Sequence, residues 1–209
     1  MLDNYAQNDD GLIYQVNREP ITYDQDYVNA RYNTYGELNQ KMSYLRVGGL
    51  VSAIGFIPQS VLDVGYGNGA FLKACKECGI KTYGYDVSGY PLTDGEFVED
   101  WLNADVDVVT FFDVLEHFED PYILKDLKAP IIMVSMPWCH YSPMANNDEW
   151  FEAWKHRRPN EHLWHFNHTS LFMFARSIGR RMHTFNNMED VIRKGPDQRQ
   201  NILTAVLVR

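Results

Sequence analysis

The chain has 209 residues, of which 45% are hydrophobic and 22% charged, a composition typical of one globular domain with a sizeable core. Its formal charge of −9 argues against a nucleic-acid-binding surface, because phosphate contacts need a basic face. Three cysteines are too few and odd in number for a disulfide framework, and no run of about 18 apolar residues predicts a membrane span. We therefore expect a soluble, cytoplasmic protein without a nucleic-acid or membrane partner.

The first 54 residues are predicted to form a lead-in to a main domain that spans residues 55–209. Residues 1–36 are polar and rich in tyrosine and show no hydrophobic period, so we expect a loosely structured segment that packs on the domain. In residues 37–54 apolar side chains recur at near-helical spacing, which predicts a helix. This lead-in is expected to cover the functional site or to contact a second subunit, and the sequence leaves the oligomeric state open.

From residue 55 onward, strand and helix patterns alternate, which predicts an α/β fold with a mainly parallel sheet covered by helices. The predicted helices are residues 70–78, 121–127 and 170–178. The predicted strands are residues 61–64, 81–86, 97–98, 106–112, 131–136, 181–185 and 202–208. Ligands of such sheets bind at the carboxyl ends of the strands, so we expect the functional residues there.

Residues 60–69, Ser-Val-Leu-Asp-Val-Gly-Tyr-Gly-Asn-Gly, are the most informative stretch of the chain. A predicted strand leads into three alternating glycines, Gly65, Gly67 and Gly69, which allow a tight turn and a close approach to a ligand. The predicted helix that follows offers free N–H groups at its first turn. Such a loop generally holds a nucleotide-like cofactor, although glycines also recur in turns that bind nothing.

The surroundings of the loop bear on which cofactor it holds. Read as far as Ala70, the loop satisfies the dinucleotide fingerprint of NAD-binding proteins. Asp63, two residues before Gly65, suits a cationic ligand better than a pyrophosphate. Asp86 ends the next strand, where an acid can accept hydrogen bonds from both ribose hydroxyls. Together with an acidic and histidine cluster at the end of residues 107–117, these acids favour a different nucleoside.

At these residues the chain resembles the class I S-adenosylmethionine-dependent methyltransferases, particularly the branch that acts on small molecules. The resemblance rests on residues 61–69, on Asp86 and on residues 112–121 (Phe-Asp-Val-Leu-Glu-His-Phe-Glu-Asp-Pro), with a looser match at residues 161–166. It implies a Rossmann-like three-layer sandwich whose mainly parallel, seven-stranded sheet has an antiparallel last strand. It also implies S-adenosylmethionine as the cofactor and a small molecule as the substrate.

The resemblance implies a role for each matching residue at the methionine and ribose end of the cofactor. Gly65, Gly67 and Gly69 correspond to the loop beneath the methionine moiety. Asp63 corresponds to the acid that contacts the methionine ammonium group, directly or through water. Asp86 corresponds to the acid that binds the ribose.

Further residues correspond to the adenine site and to the floor near the methionine. Asp100 matches the acid on the adenine amine, and Trp101 matches the apolar neighbour on the ring. Phe112 and Asp113 match the floor of the site. The chain departs from the family pattern at residues 87–105, which are too few for both helices usual there, and this departure bears on the assignment of Asp100 and Trp101.

Methyl transfer is an in-line displacement, and the catalyst mainly positions the two reactants and excludes water. A general base is needed where the acceptor must lose a proton, and an imidazole suits that task. The resemblance implies that His117 lies near the reactive end of the cofactor, so His117 is a candidate base; a structural hydrogen bond is its alternative role. His165 is a second candidate base, or a donor that orients the acceptor.

Residues 137–167 are the predicted substrate lid, because they are too polar and aromatic for core and too long for an ordinary connection. Aromatic side chains with polar tips suit a pocket wall, although we expect more than half of them simply to pack the lid onto the domain. Tyr141 and His162 are the candidate substrate contacts of this type.

A basic cluster within the lid suggests that the acceptor is anionic. Arg157 and Arg158 suit bidentate recognition of a carboxylate or phosphate, for example of an organic acid or a nucleotide-sugar. A solvated face, or ion pairs with Glu149 and Glu152, would explain these arginines as well.

The sequence favours no metal site. His162, His165 and His168 are spaced three residues apart, which could bring them to one helix face. The Pro159-Asn160 pair before them favours a turn instead, and no paired cysteine ligands accompany them.

Two other functions stay open beside methyl transfer. One is an NAD-dependent oxidoreductase, although the chain contains no Tyr-x-x-x-Lys pair of the kind found in one common class of dehydrogenases. The other is a cofactor-binding partner subunit without catalysis. The acceptor atom (oxygen, nitrogen or carbon) is not predicted.

Overall fold

The computed structural model describes residues 2–32, 36–145, 147–195 and 199–209. For residue 32 it describes the backbone only. The strands, in chain order, are β1 (Tyr5–Gln7), β2 (Ile13–Gln15), β3 (Ser60–Val64), β4 (Lys81–Tyr85), β5 (Glu96–Phe97), β6 (Val108–Phe112), β7 (Ile131–Pro137), β8 (Trp164–His165), β9 (Arg181–Asn186) and β10 (Ile202–Val208). The α-helices are α1 (Gln25–Tyr32), α2 (Gly36–Ile54), α3 (Ala70–Glu77), α4 (Asp148–Ala153) and α5 (His168–Ser177).

Seven of these strands form the central sheet, in the order β5-β4-β3-β6-β7-β10-β9. Neighbouring strands from β5 to β7 run parallel, and β10 runs antiparallel to both β7 and β9. The predicted α/β class and the antiparallel last strand are therefore confirmed. Val64 pairs with Tyr85 on one side and with Phe111 on the other, so β3, β4 and β6 end together at one edge.

Apolar side chains alternate between the two faces of the sheet, which makes the three layers. Leu62 and Val109 belong to a buried cluster with α5, whereas their neighbours Val61 and Val108 belong to a second cluster with α2 and α3. Strands that are buried on both faces consist of continuous runs of apolar and β-branched residues, and such runs predicted the central strands.

The prediction of a loosely structured N-terminal lead-in is wrong. β1 and β2 form an antiparallel hairpin, and β2 pairs in turn with β8 to make a separate three-stranded sheet. The hairpin is held by a strand far away in the sequence, and three-residue strands carry too little period to be recognised locally. The predicted segment also includes residues 33–35, which lie outside the described residues.

The connection between β4 and β6 is as short as the sequence suggested. Residues 87–105 are all described, and they contain the two-residue strand β5 and no helix. The predicted lid at 137–167 contains α4 and β8 and its own buried cluster, which includes Cys139, Tyr141 and Phe151. Among the described residues, no helix has the length and apolar character that a membrane crossing requires.

Candidate functional site

The glycine loop follows β3 with three left-handed backbone conformations, at φ +76° for Gly65, +55° for Gly67 and +76° for Gly69. The Gly65 N–H donates to the carbonyl of Tyr85 at 2.6 Å, which fastens the loop to the end of β4. A Cβ at Gly65 would lie 2.3 Å from Cγ2 of Val114. The loop thus needs glycine at Gly65 both for its backbone angle and for its close contact with the segment after β6.

Asp86 lies beside this loop at the end of β4. Its Oδ2 accepts a hydrogen bond from the Gly67 N–H and its Oδ1 one from the Ser88 N–H, each at 2.8 Å. These two bonds fix the plane of the carboxylate. Each oxygen keeps a second lone pair, so the group can still accept hydrogen bonds from a pair of ligand hydroxyls.

Asp63 is buried beneath the loop, with only 3% of its surface exposed. The Thr110 hydroxyl donates to its Oδ1 at 2.6 Å. Burial raises the pKa of Asp63 to about 7, although the bond from Thr110 and the charge of Arg46 act in the opposite direction. The carboxyl group is therefore partly protonated near neutral pH, and a cationic ligand group would favour its ionised form.

A network of four charged side chains surrounds the end of β6. Asp113, at φ +56°, accepts hydrogen bonds from both terminal nitrogens of Arg193, and its carboxylate lies 3.5 Å from Arg46. The fully buried Glu189 pairs with the same two arginines and accepts a hydrogen bond from Ser135 at 2.7 Å. Burial alone would raise the pKa of Asp113 and of Glu189, but the arginines hold both below their usual range.

Phe112 forms an apolar floor next to this network. Its ring meets that of Phe71 edge to face at 4.8 Å, and the guanidinium of Arg46 lies 4.1 Å from its centre. The role of Phe112 as the floor of the cofactor site stays a prediction.

Asp100 and Trp101 lie after β5. Asp100 is exposed and accepts two hydrogen bonds from the side chain of Asn103. The ring of Trp101 packs between Tyr85 and Phe118 at centroid distances of 6.2 and 5.9 Å. Trp101 therefore offers an apolar surface beside β4, while its role and that of Asp100 toward adenine stay predictions.

His117 lies in the single 3₁₀ turn Leu115–His117 that follows β6. Its Nδ1 is 2.9 Å from the Tyr23 hydroxyl, and its ring meets that of His162 edge to face at 4.7 Å. Burial lowers the pKa of His117 to about 4. His117 is therefore a neutral imidazole near pH 7 and a weak proton acceptor.

Glu116, next to His117, is 1% exposed, and neither carboxylate oxygen has a hydrogen-bond partner among the described residues. Burial, reinforced by the charge of Asp113, raises its pKa well above the usual range. The Leu163 N–H donates to the Glu116 carbonyl at 2.8 Å, which brings His162 to this turn. The structure thus joins the motif after β6 to the segment before β8.

The N-terminal segment spans from the cofactor loop to the lid. The Gln25 side chain donates to the carbonyl of Gly89, just after β4, at 2.8 Å. The Tyr27 hydroxyl donates to Glu161 at 3.0 Å, and Arg31 pairs with the same carboxylate at 2.8 Å. α1 therefore lies across the edge of the sheet at which β3, β4 and β6 end.

The other candidate substrate residues have internal partners. Tyr141 is buried, stacks on Phe151 and donates from its hydroxyl to Asp148 at 2.6 Å. Arg158 pairs with Glu161 at 2.5 Å, not with the acids at 149 and 152 that the sequence suggested. Arg157 lies over the ring of Tyr5 at 5.9 Å, and it has no carboxylate partner among the residues that the structure describes.

His165 lies on β8, paired with Ile13 of β2. Its ring packs against Tyr5, Phe151 and Trp154, at centroid distances of 5.7, 5.0 and 5.8 Å. These contacts put His165 in the interior of the lid rather than against the glycine loop. Its role as a base stays a prediction.

Several residues of the site were not predicted. Arg46 and Arg193 come from α2 and from the segment after Glu189, and no local motif marks either of them. Tyr23 belongs to the segment that was expected to be loosely structured. Glu116 belongs to the motif of residues 112–121, and its position next to His117 is the one sequence signal that could have marked it as a site residue.

The central fold is shared with solved methyltransferase structures. A protein solved as the putative methyltransferase in a complex with the Trm112 methyltransferase activator of Haloferax volcanii matches with a TM-score of 0.60 and 16% identity over 90% of this chain and 98% of that one. The 1,6-didemethyltoxoflavin-N1-methyltransferase of Burkholderia thailandensis, solved with that molecule and S-adenosylhomocysteine, matches with a TM-score of 0.60 and 13% identity over 99% of each chain. Magnesium protoporphyrin IX methyltransferase of Synechocystis, solved with S-adenosylhomocysteine, matches with 0.56 and 16% over 82% and 84%. At these identities the likeness shows the fold alone.

Comparison of the sequence with protein families shows the family of the chain as well as its fold. No curated protein sequence matches the chain significantly. The family model of the methyltransferase domain matches residues 35–179, which include the glycine loop, Asp86, the motif after β6 and the lid. The chain therefore belongs to the methyltransferase domain family, as its resemblance to the class I S-adenosylmethionine-dependent enzymes predicted.

Proposed function

We propose that this protein transfers a methyl group from S-adenosylmethionine to a small, anionic acceptor. The observation that carries the cofactor part is the pair of hydrogen bonds that holds Asp86 against the glycine loop, at the common end of β3 and β4. Two structural neighbours were solved with S-adenosylhomocysteine, the demethylated product of this cofactor, which supports the proposal. Membership of the methyltransferase family favours this function over the NAD-dependent alternative.

The residues at this edge fit the parts of the proposed cofactor. Asp86 can accept hydrogen bonds from the ribose hydroxyls, and Asp63 offers a buried carboxylate to the methionine ammonium group. Gly65, Gly67 and Gly69 keep side chains away from the methionine. When bound, the cofactor supplies an electrophilic methyl group, and the protein's part is to position the acceptor and exclude water.

α1 and the lid are proposed to enclose the acceptor. Tyr23 and Tyr27 of the N-terminal segment contact His117 and Glu161, respectively, so this segment is well placed to close over the reaction. The division into a covering lead-in at 1–54 and a catalytic domain at 55–209 is part of this proposal.

The anionic character of the acceptor is proposed from Arg157. Its guanidinium lacks a carboxylate partner among the described residues, whereas Arg158 is already paired with Glu161. Burying an unpaired cation is costly, so a partly buried arginine of this kind favours an anionic ligand. The acceptors of two neighbours, magnesium protoporphyrin IX and 1,6-didemethyltoxoflavin, are small molecules, which agrees with the proposed acceptor class.

Transfer of labelled methyl groups tests the proposal. A small-molecule extract is first separated into anionic and neutral fractions, because methylation of a carboxylate would itself remove its charge, and each fraction is then incubated with the protein and methyl-labelled S-adenosylmethionine. We expect label in the anionic fraction, and Arg157→Ala should raise KM for that acceptor while Arg176→Ala, in an exposed part of α5, should not. Label in the neutral fraction only would contradict the anionic acceptor. Cofactor binding without any label would favour the non-catalytic subunit.

A further inference from the structure

We propose that Glu116, His117 and His162 bind a divalent transition-metal ion, with Zn²⁺ as the representative ion. One ligand atom from each of these residues lies within 4.8 Å of the other two. Two imidazoles and one carboxylate are a donor set typical of metal sites that keep a position open for water or substrate. The existence of the site does not depend on methyl transfer, but the role given to the ion below rests on the proposed function.

The strongest observation is the state of Glu116. Only 1% of the surface of Glu116 is exposed, and neither oxygen of its carboxyl group has a hydrogen-bond partner among the described residues. A buried polar group without a partner is costly in either protonation state and calls for an explanation. Nε2 of His117 is 4.0 Å from Oε1, too far for a hydrogen bond and within about an ångström of the separation of two ligands of one ion.

The hydrogen bonds of the histidines leave lone pairs for an ion. Nδ1 of His162 is 2.7 Å from the carbonyl of His156. A carbonyl only accepts, so Nδ1 carries the hydrogen and Nε2 keeps its lone pair. Nδ1 of His117 lies 2.9 Å from the Tyr23 hydroxyl, a group that can donate or accept. When that hydroxyl accepts the hydrogen of Nδ1, Nε2 of His117, the atom 4.0 Å from Glu116, keeps its lone pair and becomes the ligand. Outer partners of this kind orient the histidines of metal sites.

The distances fit a site that closes around an ion. Ligand atoms about 2.0–2.2 Å from a metal lie about 3–3.5 Å apart. Side-chain rotations that move the ligand atoms by about an ångström would therefore complete the site. The backbone of the two segments is already held together by the hydrogen bond from the Leu163 N–H to the Glu116 carbonyl. Nitrogen ligands favour zinc and its first-row neighbours over Mg²⁺ or Ca²⁺, which prefer oxygen.

The position of the cluster gives the ion a role in acceptor binding. The turn that carries Glu116 and His117 follows Val114, which is packed against Gly65 of the cofactor loop. A divalent ion with one carboxylate ligand leaves a local charge of +1, which favours an anionic or ionised acceptor on the open position. In this arrangement His117 is a ligand and not a base.

No local motif predicts this site: His162 is a candidate substrate contact from the sequence, and its spacing suggests metal ligation only with His165 and His168. His165 faces the interior of the lid, and His168 begins α5. The actual partners lie more than forty residues earlier in the chain and meet His162 only through the fold.

Titration with Co²⁺ as a spectroscopic probe tests the inference. Tag-free protein is first treated with a chelator, and visible absorption and calorimetry then report binding of Co²⁺ and Zn²⁺. We expect one ion per chain and a rise in Tm, because an ion that binds only the folded state stabilises it. Glu116→Gln and His162→Gln should each weaken binding by at least about tenfold. His183→Gln, an exposed histidine on β9, is the matched control and should bind like the wild type.

The outcomes separate the metal site from the proposed function. Absence of saturable binding to the wild type, or binding that both variants retain, would overturn the inference. Each protein is also titrated with S-adenosylhomocysteine, which reports correct folding of the variants. Cofactor binding without metal binding would contradict the metal site alone. Metal binding without cofactor binding would contradict the proposed function alone.

Discussion

Arg193 donates two hydrogen bonds to Asp113, at 2.7 and 2.8 Å, although the residues lie 80 positions apart in the chain. The bonds connect the segment before β10 to Asp113, the residue with a left-handed backbone conformation that directly follows β6. Arg193 also pairs with the fully buried Glu189 at 3.0 Å. One arginine thus neutralises two acids at the floor of the proposed cofactor site.

Removing this arginine should be strongly destabilising. We expect Arg193→Ala to lower the free energy of unfolding by about 3–5 kcal/mol, because it leaves the fully buried Glu189 and the partly exposed Asp113 with too few partners. Arg181→Ala, at an exposed position of β9, is the control and should change it by less than about 0.5 kcal/mol. Urea unfolding measures both, and equal losses in the two variants would contradict the network.

The contact between Gly65 and Val114 can be separated from backbone strain. Gly65 and Gly79 have similar angles, φ +76° and +78°, but only Gly65 has a neighbour within 4 Å of an added Cβ. Gly79→Ala should cost about 1–2 kcal/mol, the penalty of the left-handed conformation. Gly65→Ala should cost more and weaken binding of S-adenosylhomocysteine.

A second substitution checks the cause. Val114→Ala combined with Gly65→Ala should recover part of the lost stability, since it removes the methyl groups that an added Cβ would meet. Equal unfolding free energies for Gly65→Ala and Gly79→Ala would show that the close contact carries no weight.

Asp63 should give the stability of the protein a distinct pH dependence. Its pKa rises from 3.8 to about 7 on folding, so between these values the folded chain holds a proton that the unfolded chain has lost. Stability therefore falls as pH rises through this window, by up to about 1.4 kcal/mol per pH unit from this group. Asp63→Asn should flatten that part of the curve, as urea unfolding from pH 4.5 to 8 would measure. An unchanged slope would contradict the buried, protonated carboxyl group.

The parts of the fold that the sequence predicted are those with local signals. The strands of the central sheet are continuous apolar runs, and the glycine loop and Asp86 follow them directly in the chain. The ends of neighbouring parallel strands meet at one edge, so the sequence alone predicts that these residues lie close together there.

The features that were missed depend on contacts between distant segments. The hairpin of β1 and β2 is stabilised by β8, about 150 residues later. Arg46 and Arg193 pair with Asp113, and Glu189 pairs with both arginines, although all three lie far from Asp113 in the chain and no local motif marks them. The motif after β6 includes Glu116, but the sequence does not show that its carboxyl group is buried without a hydrogen-bond partner among the described residues.

Calorimetric titration with S-adenosylhomocysteine tests the central claim, that Asp86 and the glycine loop hold this cofactor. We predict one molecule bound per chain, no binding of NAD, and at least about tenfold weaker binding to Asp86→Asn, because a hydrogen bond to a charged group contributes about 1.5–3 kcal/mol. Asp105→Asn, an exposed acid just before β6 at the opposite edge of the sheet, should bind like the wild type. Binding of NAD in place of S-adenosylhomocysteine, or an unchanged affinity of Asp86→Asn, would contradict the account.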